Sequence, residues 1–517
     1  MDGIVDAGGR RADRICQADR RRGRGSAFDA GGTGVGGSFD RTTVGKTAIP
    51  DVTGYVPVVA VGVAPSGGGT ALEQVNKLTP QRRCRFSPDG TSKLFVLPDT
   101  DVKSIDNVMN LTMTAPSPLS FTADTAGHRA VLATAPPQGI NSVEVTWTSS
   151  EVSDPRLEVT AMKYAELYNG STDSRVFLYG DGSNRALYSG LDYDGKPAAD
   201  YFPDLNFVDV GEDGTPLTAL IRHYGNLAAF KTDSAWLIRY DYTTLSDGTV
   251  TATFFTNPIH RSLGNTAPGQ AQLVLNSPRT LCAGGVYEWR NGSAYASNLT
   301  MDERQAARIS DRTAKTLSGF DLASCVCWDD NLTQEYYVVC GSEALVHNYA
   351  ADVWYIYSDF PATCFARRGG TLFIGTPDGH IREVSDQYTS DCGEVIDAYW
   401  ESGSMAFGAE DQQKSVNELY ITSNPASFGS VTVAASTDTG TAGSALISYF
   451  GSGGLDFSRW DFGALSFRAD AVMPHSARVV MHLKFMYMKL LFQNHAAGTN
   501  ASVLSALISV NTVGRAK

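Results

Sequence analysis

Apolar and polar residues alternate with a period of two through most of this chain, the pattern of half-buried strands. In FKTDSAWLIRYD the alternation puts Trp236, Ile238 and Tyr240 on one face. In QEYYVVCG it puts Tyr336, Val338 and Cys340 on one face and Tyr337 and Val339 on the other, which predicts a strand buried on both sides. Residues 175–220 read as strand, Gly/Asn turn, strand and longer loop, and IRHYGNLAAFKTDSAWLIRY adds another hairpin. ALVHNYAADVWYIYSD and GGTLFIGTPDGHIREVSD have the same form. Between 150 and 396 such units return about every 40–50 residues, the size of a propeller blade.

Two flanking stretches read differently. Residues 82–149 hold RCRFSPDG, KLFVLP, PLSFTAD, RAVLATAPP and INSVEVTWT, separated by turn residues. That spacing predicts a small inserted β-sandwich. Residues 397–517 predict a C-terminal β-sandwich. There HLKFMYMKLLF reads as one central strand, with Leu483, Phe485, Tyr487 and Lys489 opposite Lys484, Met486, Met488 and Leu490. The one helical stretch is TMDERQAARISDRTAKTLSG (300–319), with Asp302 and Glu303 near its start and Gly319 past its end. Residues 49–81 read as an extended apolar strand and a Gly-rich linker. Residues 1–48 are rich in Arg and Gly and keep no period, so they read as disordered or non-native. The expected fold is all-β: a β-propeller with an inserted small β-sandwich and a C-terminal β-sandwich.

Composition sharpens this. The chain has 517 residues, with 51 Gly, 22 Tyr and 23 Phe, a balance that favours short strands and tight turns. Residues 1–50 carry +3 of a total of −13, so the remainder carries −16. Such a body argues against a general DNA-binding surface, where Lys and Arg neutralise phosphates, yet suits a conduit through which DNA slides without sticking. The eight cysteines (16, 84, 282, 325, 327, 340, 364 and 392) include no C-x-x-C. They read as free thiols packed as small apolar groups in a reducing cytoplasm. VPVVAVGVA (56–64) falls well short of the roughly 18 apolar residues of a membrane helix, and no signal-peptide core is evident near the start.

Catalytic machinery is not visible. H-E-x-x-H, Walker and G-x-S-x-G patterns do not occur, and the eight histidines show no ligand spacing. His223 reads as a structural residue at a strand end. Glycines 67–69 lack the Gly-Lys-Ser/Thr ending of a nucleotide loop. Asp192-Tyr193-Asp194-Gly195 hints at a calcium loop, but Pro203 stands where its closing Glu would be, so it reads as a turn. No catalytic, cofactor-binding or metal-binding residue is therefore assigned. A pair of glycosidase carboxylates has no sequence spacing, so a propeller hydrolase stays open as the weakest alternative.

Several short motifs together resemble one family. They are P-S-G-G-G-T (65–70), R-V-F-L-Y-G (175–180), S-G-L (189–191), D-Y-F-P (200–203), LGNTAPGQAQLVLNSPRTL (263–281), MDERQAARISDR (301–312), NYAADVWYIY (348–357), and W-E-S-G (400–403) with Phe407-Gly408. The set is similar to β-propeller structural proteins of tailed bacteriophages and prophages: the packaged-DNA stabilisation, tail hub and nozzle proteins. The resemblance implies a virion protein of the neck or tail, assembled in the bacterial cytoplasm, with no catalytic residue and no cofactor. It implies a closed ring of copies that contacts portal, adaptor or other tail proteins, its lumen passing genomic DNA without reading sequence. The alternative is a carbohydrate-binding propeller of a tail or surface adhesin.

Overall fold

Strands form in most of the segments where the alternation predicts them, and the described residues are nearly all β, with a few short helical turns. The computed structural model describes residues 14–17 and, from 54 to 515, all but 73, 113–114, 150–154, 171–174, 224, 245–249, 291–305, 386–387, 389, 409, 424–428, 441, 450–474 and 497–501. Apart from 14–17, the Arg/Gly-rich stretch 1–48 lies outside the described residues. The chain divides into two compact units, Ser26–Gly341 with Leu345–Tyr355, and Met1–Gly25 with Ser342–Ala344 and Ile356–Lys517.

The first of these begins with a six-stranded sheet in the order Thr70–Ala71, Val58–Val63, Gln81–Phe86, Val143–Ser149, Val102–Asn110 and Ser117–Pro118. A three-stranded sheet of Leu94–Val96, Arg129–Leu132 and Phe121–Asp124 shares its core, where Phe86, Phe95 and Trp147 are fully buried. Val58–Val63 runs parallel to Gln81–Phe86, so the apolar strand ahead of the sandwich segment is part of its sheet.

Four-stranded sheets then succeed one another, each with its strands in chain order. They are Tyr164–Leu167, Val176–Tyr179, Arg185–Tyr188 and Phe207–Asp209; Leu217–His223, Asn226–Lys231, Ala235–Thr244 and Val250–His260; Gln272–Val274, Ser277–Cys282, Gly285–Trp289 and Ala306–Arg308; and Val326–Asp330, Glu335–Cys340, Glu343–Asn348 and Val353–Tyr357. The opening strand of each sheet lies against the opening strand of the next. The second sheet is apolar on both faces because each face feeds a different core. Leu220, Ala229 and Ile238 pack with Phe177 and Tyr179 of the first sheet. Ala219, Phe230 and Leu237 pack with Trp289 of the third. Leu281 and Val286 of the third meet Cys327, Tyr336 and Val338 of the fourth.

The helical reading of 300–319 needs correction. Residues 300–305 lie outside the described residues; among the described ones, Ala306–Arg308 is a strand paired with Tyr287–Trp289, and only Asp311–Thr313 and Ala314–Leu317 are helical. The edge of the third sheet captures backbone groups that the local pattern would have left to a helix.

In the other unit, Arg14–Gln17 pairs with Ile381–Ser385, followed by Thr371–Gly375 and Cys364–Arg368. Two further sheets share a core. One runs Ala398–Glu401, Met488–Asn494, Gly429–Thr437 and Ala442–Tyr449; the other runs His475–Phe485, Gln412–Ser423 and Val503–Arg515. HLKFMYMKLLF is not one strand. It ends its first strand at Phe485 and begins the next at Met488 in the other sheet. Asp438 Oδ1 accepts the backbone N–H groups of Met486 (2.9 Å) and Tyr487 (3.1 Å), and Lys414 Nζ donates to the Met486 carbonyl at 3.0 Å. The corner resets the alternation, so Leu483, Phe485, Met488 and Leu490 all reach one core.

Candidate functional site

Where the opening strands of the four sheets come together, the first unit holds a cavity of about 650 Å³. Its polar and aromatic lining comes from Lys163, Tyr164, Glu166, Tyr179, Gln272, Trp328 and Asp329. Alternation along Tyr164–Leu167 turns Tyr164 and Glu166 to the same side. Tyr164 and Tyr179 are opposite one another in the ladder, with ring centres 5.4 Å apart. Gly269 adopts φ +74°, and a Cβ there would collide with the Tyr164 ring, so this wall requires glycine.

The corner carrying Gly269 is built by Asn265, which is fully buried. Its side-chain amide donates to the Ala267 carbonyl, its Oδ1 accepts Leu281 N–H at 3.2 Å, and its own carbonyl accepts the Thr218 hydroxyl at 2.6 Å. The LGNTAPGQAQ motif is thus the joint between the second and third sheets.

Two half-buried carboxylates face the cavity. Burial raises the Glu166 carboxyl above its usual range, and contacts with Arg222 oppose this only in part. Burial pushes Asp329 up to about 6, against the hydrogen bond from Tyr349 and the charge of Arg279. The folded state therefore holds the Asp329 proton at pH values where the unfolded chain, with an ordinary value of 3.8, has released it. Ionised Asp329 costs stability above about pH 6, and the cost fades as pH falls towards 4. Asp329→Asn should stabilise the protein by about 1–2 kcal/mol near neutrality and by nothing near pH 4. Urea melts of both forms across that range would show it, and equal stability at neutral pH would mean a well-solvated carboxylate.

Behind this wall, Arg279 is 3% exposed and joins three strands. Its Nε and Nη2 donate to Glu288 Oε2 at 3.2 and 2.9 Å, and its Nη1 meets His347 Nδ1 at 3.1 Å. A guanidinium only donates, so Nδ1 accepts and the imidazole proton sits on Nε2, 3.1 Å from Asp352 Oδ1. Burial is the main cause holding His347 below its ordinary value, and its ring stacks on Trp354 at 4.4 Å.

The motifs singled out in the sequence fall elsewhere. Asp192 Oδ1 accepts the N–H groups of Asp194 (3.0 Å) and Lys196 (2.7 Å), and Gly195 has φ +77°, the chemistry of a tight turn. Glycines 67–69 all have positive φ and turn the hairpin joining Val58–Val63 to Thr70–Ala71. His223 ends its strand opposite Asn226. Cys84, Cys282, Cys325 and Cys327 are buried free thiols, whereas Cys364 and Cys392 are exposed. Among the described residues, no three His, Cys, Asp or Glu side chains gather as a metal set, and no helix is long and apolar enough to cross a membrane. Sequence reasoning did not single out Glu166, Trp328, Asp329 or Glu288, which no motif marks, and Arg279 entered only as one residue of LGNTAPGQAQLVLNSPRTL, with no role assigned.

No family model matches the chain, and no curated protein matches it. Among solved structures, it is similar to an exo-β-1,3-galactanase from Phanerochaete chrysosporium bound to β-1,3-galactotriose. That match has 12% identity, covers 67% of this chain and 69% of the other, and has a TM-score of 0.17. A glycoside hydrolase family 43 arabinoxylan arabinofuranohydrolase from Bacillus subtilis aligns at 10% identity over 68% and 79%, with a TM-score of 0.17. S. cerevisiae core factor aligns at 8% over 65% and 57%, with a TM-score of 0.27. At such scores the backbones do not superpose as one fold, so the properties of these neighbours stay theirs.

Proposed function

We propose that this chain is a structural protein of a tailed-phage virion, in which the successive four-stranded sheets are the blades of a β-propeller. Copies would close into a ring at the neck or tail nozzle by head-to-tail contacts. The observation behind this reading is the run of four-stranded sheets with neighbouring opening strands, together with where the phage-like motifs fall. LGNTAPGQAQLVLNSPRTL makes the joint between the second and third sheets, R-V-F-L-Y-G contains the strand Val176–Tyr179, and NYAADVWYIY spans the last turn and strand of the fourth sheet. These are architectural positions. The charge of −16 on residues 51–517 suits a lumen that repels the genome and lets it pass. In this reading the partners are other copies, portal, adaptor or tail proteins, and DNA held without sequence readout; no catalytic residue takes part.

Immunogold electron microscopy of induced phage particles, with antibody against this chain, tests the proposal. Label at the neck or tail is expected, and unlabelled particles would overturn it. A second reading, a carbohydrate-binding module, draws on the cavity, where Tyr164, Tyr179 and Trp328 accompany Glu166 and Asp329. Aromatic faces and carboxylate acceptors are the groups that hold sugars. Glycan-array binding lost in Trp328→Ala would favour it.

A further inference from the structure

The fourth sheet places two thiols face to face. Val326 pairs with Val339 and Cys327 with Val338, so the same register sets Cys325 opposite Cys340. Directly opposed residues of antiparallel strands have Cα atoms about 4.5–5.5 Å apart, within the span of a disulfide. Both thiols converge on one backbone oxygen: Cys325 Sγ donates to the Asp321 carbonyl at 3.4 Å, and Cys340 Sγ lies 3.9 Å from it. The two side chains also interact directly. Cys325 is buried, Cys340 is half-buried, and exposed Ser324 lies 3.9 Å from the Cys340 sulfur.

We infer that Cys325 and Cys340 form a disulfide when the protein meets a disulfide oxidant, stapling the first two strands of the fourth sheet. The more accessible Cys340 reacts first. Its thiolate attacks a small disulfide such as oxidised glutathione, forming a mixed disulfide and releasing one thiol. Cys325 then gives up its proton and attacks the Cys340 sulfur, and the second glutathione leaves as a thiol. Two protein thiols and one glutathione disulfide become one protein disulfide and two glutathione thiols. Burial pushes the Cys325 thiol above its ordinary value, so the first attack falls to Cys340 and the closing attack by Cys325, held against the Cys340 sulfur by the strand register, is the slower step. In reducing cytoplasm the pair stays open, and it closes outside. The inference stands on the strand register and is independent of the virion reading.

The full chain carrying Cys16→Ser, Cys364→Ser and Cys392→Ser would be incubated with oxidised glutathione and analysed by intact mass and peptide mapping. Expected is a loss of about 2 Da, a Cys325–Cys340 cross-linked peptide, and a higher melting temperature that a reductant reverses. Adding Cys325→Ser should stop the reaction at a glutathione adduct on Cys340, and adding Cys340→Ser should leave Cys325 unmodified. A lasting adduct on Cys340 with Cys325 present, a cross-link to Cys327, or no reaction at all would overturn the inference.

Discussion

Glu288→Gln should destabilise the protein by about 3 kcal/mol, because it strands a buried cation. The Arg279 side chain is 3% exposed, and the carboxylate it is bonded to is Glu288, itself 13% exposed, with Asp329 a second carboxylate within its field. Arg290, 60% exposed, also binds that carboxylate, with Nε 2.6 Å from Oε1. The variant keeps the shape of the side chain and removes its charge. His347 accepts a hydrogen bond from Arg279 but, as a neutral imidazole, brings no negative charge to replace the carboxylate. The rings of Tyr336 and Tyr349, 5.3 and 5.5 Å from the guanidinium, remain and moderate the loss. Burial pushes the Glu288 carboxyl up, but the Arg290 hydrogen bond and the Arg279 charge outweigh it and hold the group below 4.5. A depressed carboxyl stabilises the fold above its unfolded value and loses that contribution as pH falls through the folded value. The gap between wild type and variant in urea melts should therefore be full at neutral pH and shrink below about pH 4.5. A gap that does not change with pH would show that the loss is not one of charge.

Asn76→Ala should cost about 3–4 kcal/mol. Asn76 is 2% exposed and uses both ends of its amide. Its Nδ2 donates to the carbonyls of Tyr55 (2.7 Å) and Asp200 (2.9 Å), and its Oδ1 accepts the N–H groups of Leu78 (3.1 Å) and Phe202 (2.9 Å). Truncation leaves four backbone groups without this partner in a place that water reaches poorly. The surroundings cannot close over the gap, since Tyr55 and Tyr201 pack with ring centres 5.1 Å apart and Tyr201 OH donates to the Gln74 carbonyl at 2.9 Å. Asn76→Asp should be similarly harmful, because a carboxylate cannot donate to the two carbonyls. Chemical denaturation would measure both, and a cost below about 1 kcal/mol would mean that water replaces the amide.

D-Y-F-P at 200–203 was legible as a motif but not as one side of this node, because its partner lies more than 120 residues away. The same distinction runs through the molecule. Period-two alternation exposed the strands carrying Ile238, Tyr336 and Val338, since in a sheet the face of each side chain follows from the backbone pleat alone. It missed Val102–Asn110, where Val102, Ile105 and Val108 fall three residues apart rather than two yet all enter a core. It failed at Met486–Tyr487, where a carboxylate 48 residues away turns the chain, and at Ala306–Arg308, where a neighbouring strand claims the backbone.

The sequence by itself determined the all-β class, the hairpin units and the tight turn at Gly195, because alternation and turn chemistry act over a few residues; glycines 67–69, which read as a linker, close a hairpin only through the pairing of Val58–Val63 with Thr70–Ala71. Only the tertiary structure decided which faces share a core, that Glu166, Trp328 and Asp329 line one cavity, that Arg279 meets Glu288 and His347, and that Cys325 faces Cys340. Those outcomes depend on strand register and on the stacking of one sheet against the next, and burial shifts a carboxyl or a thiol only after that packing has removed water from it.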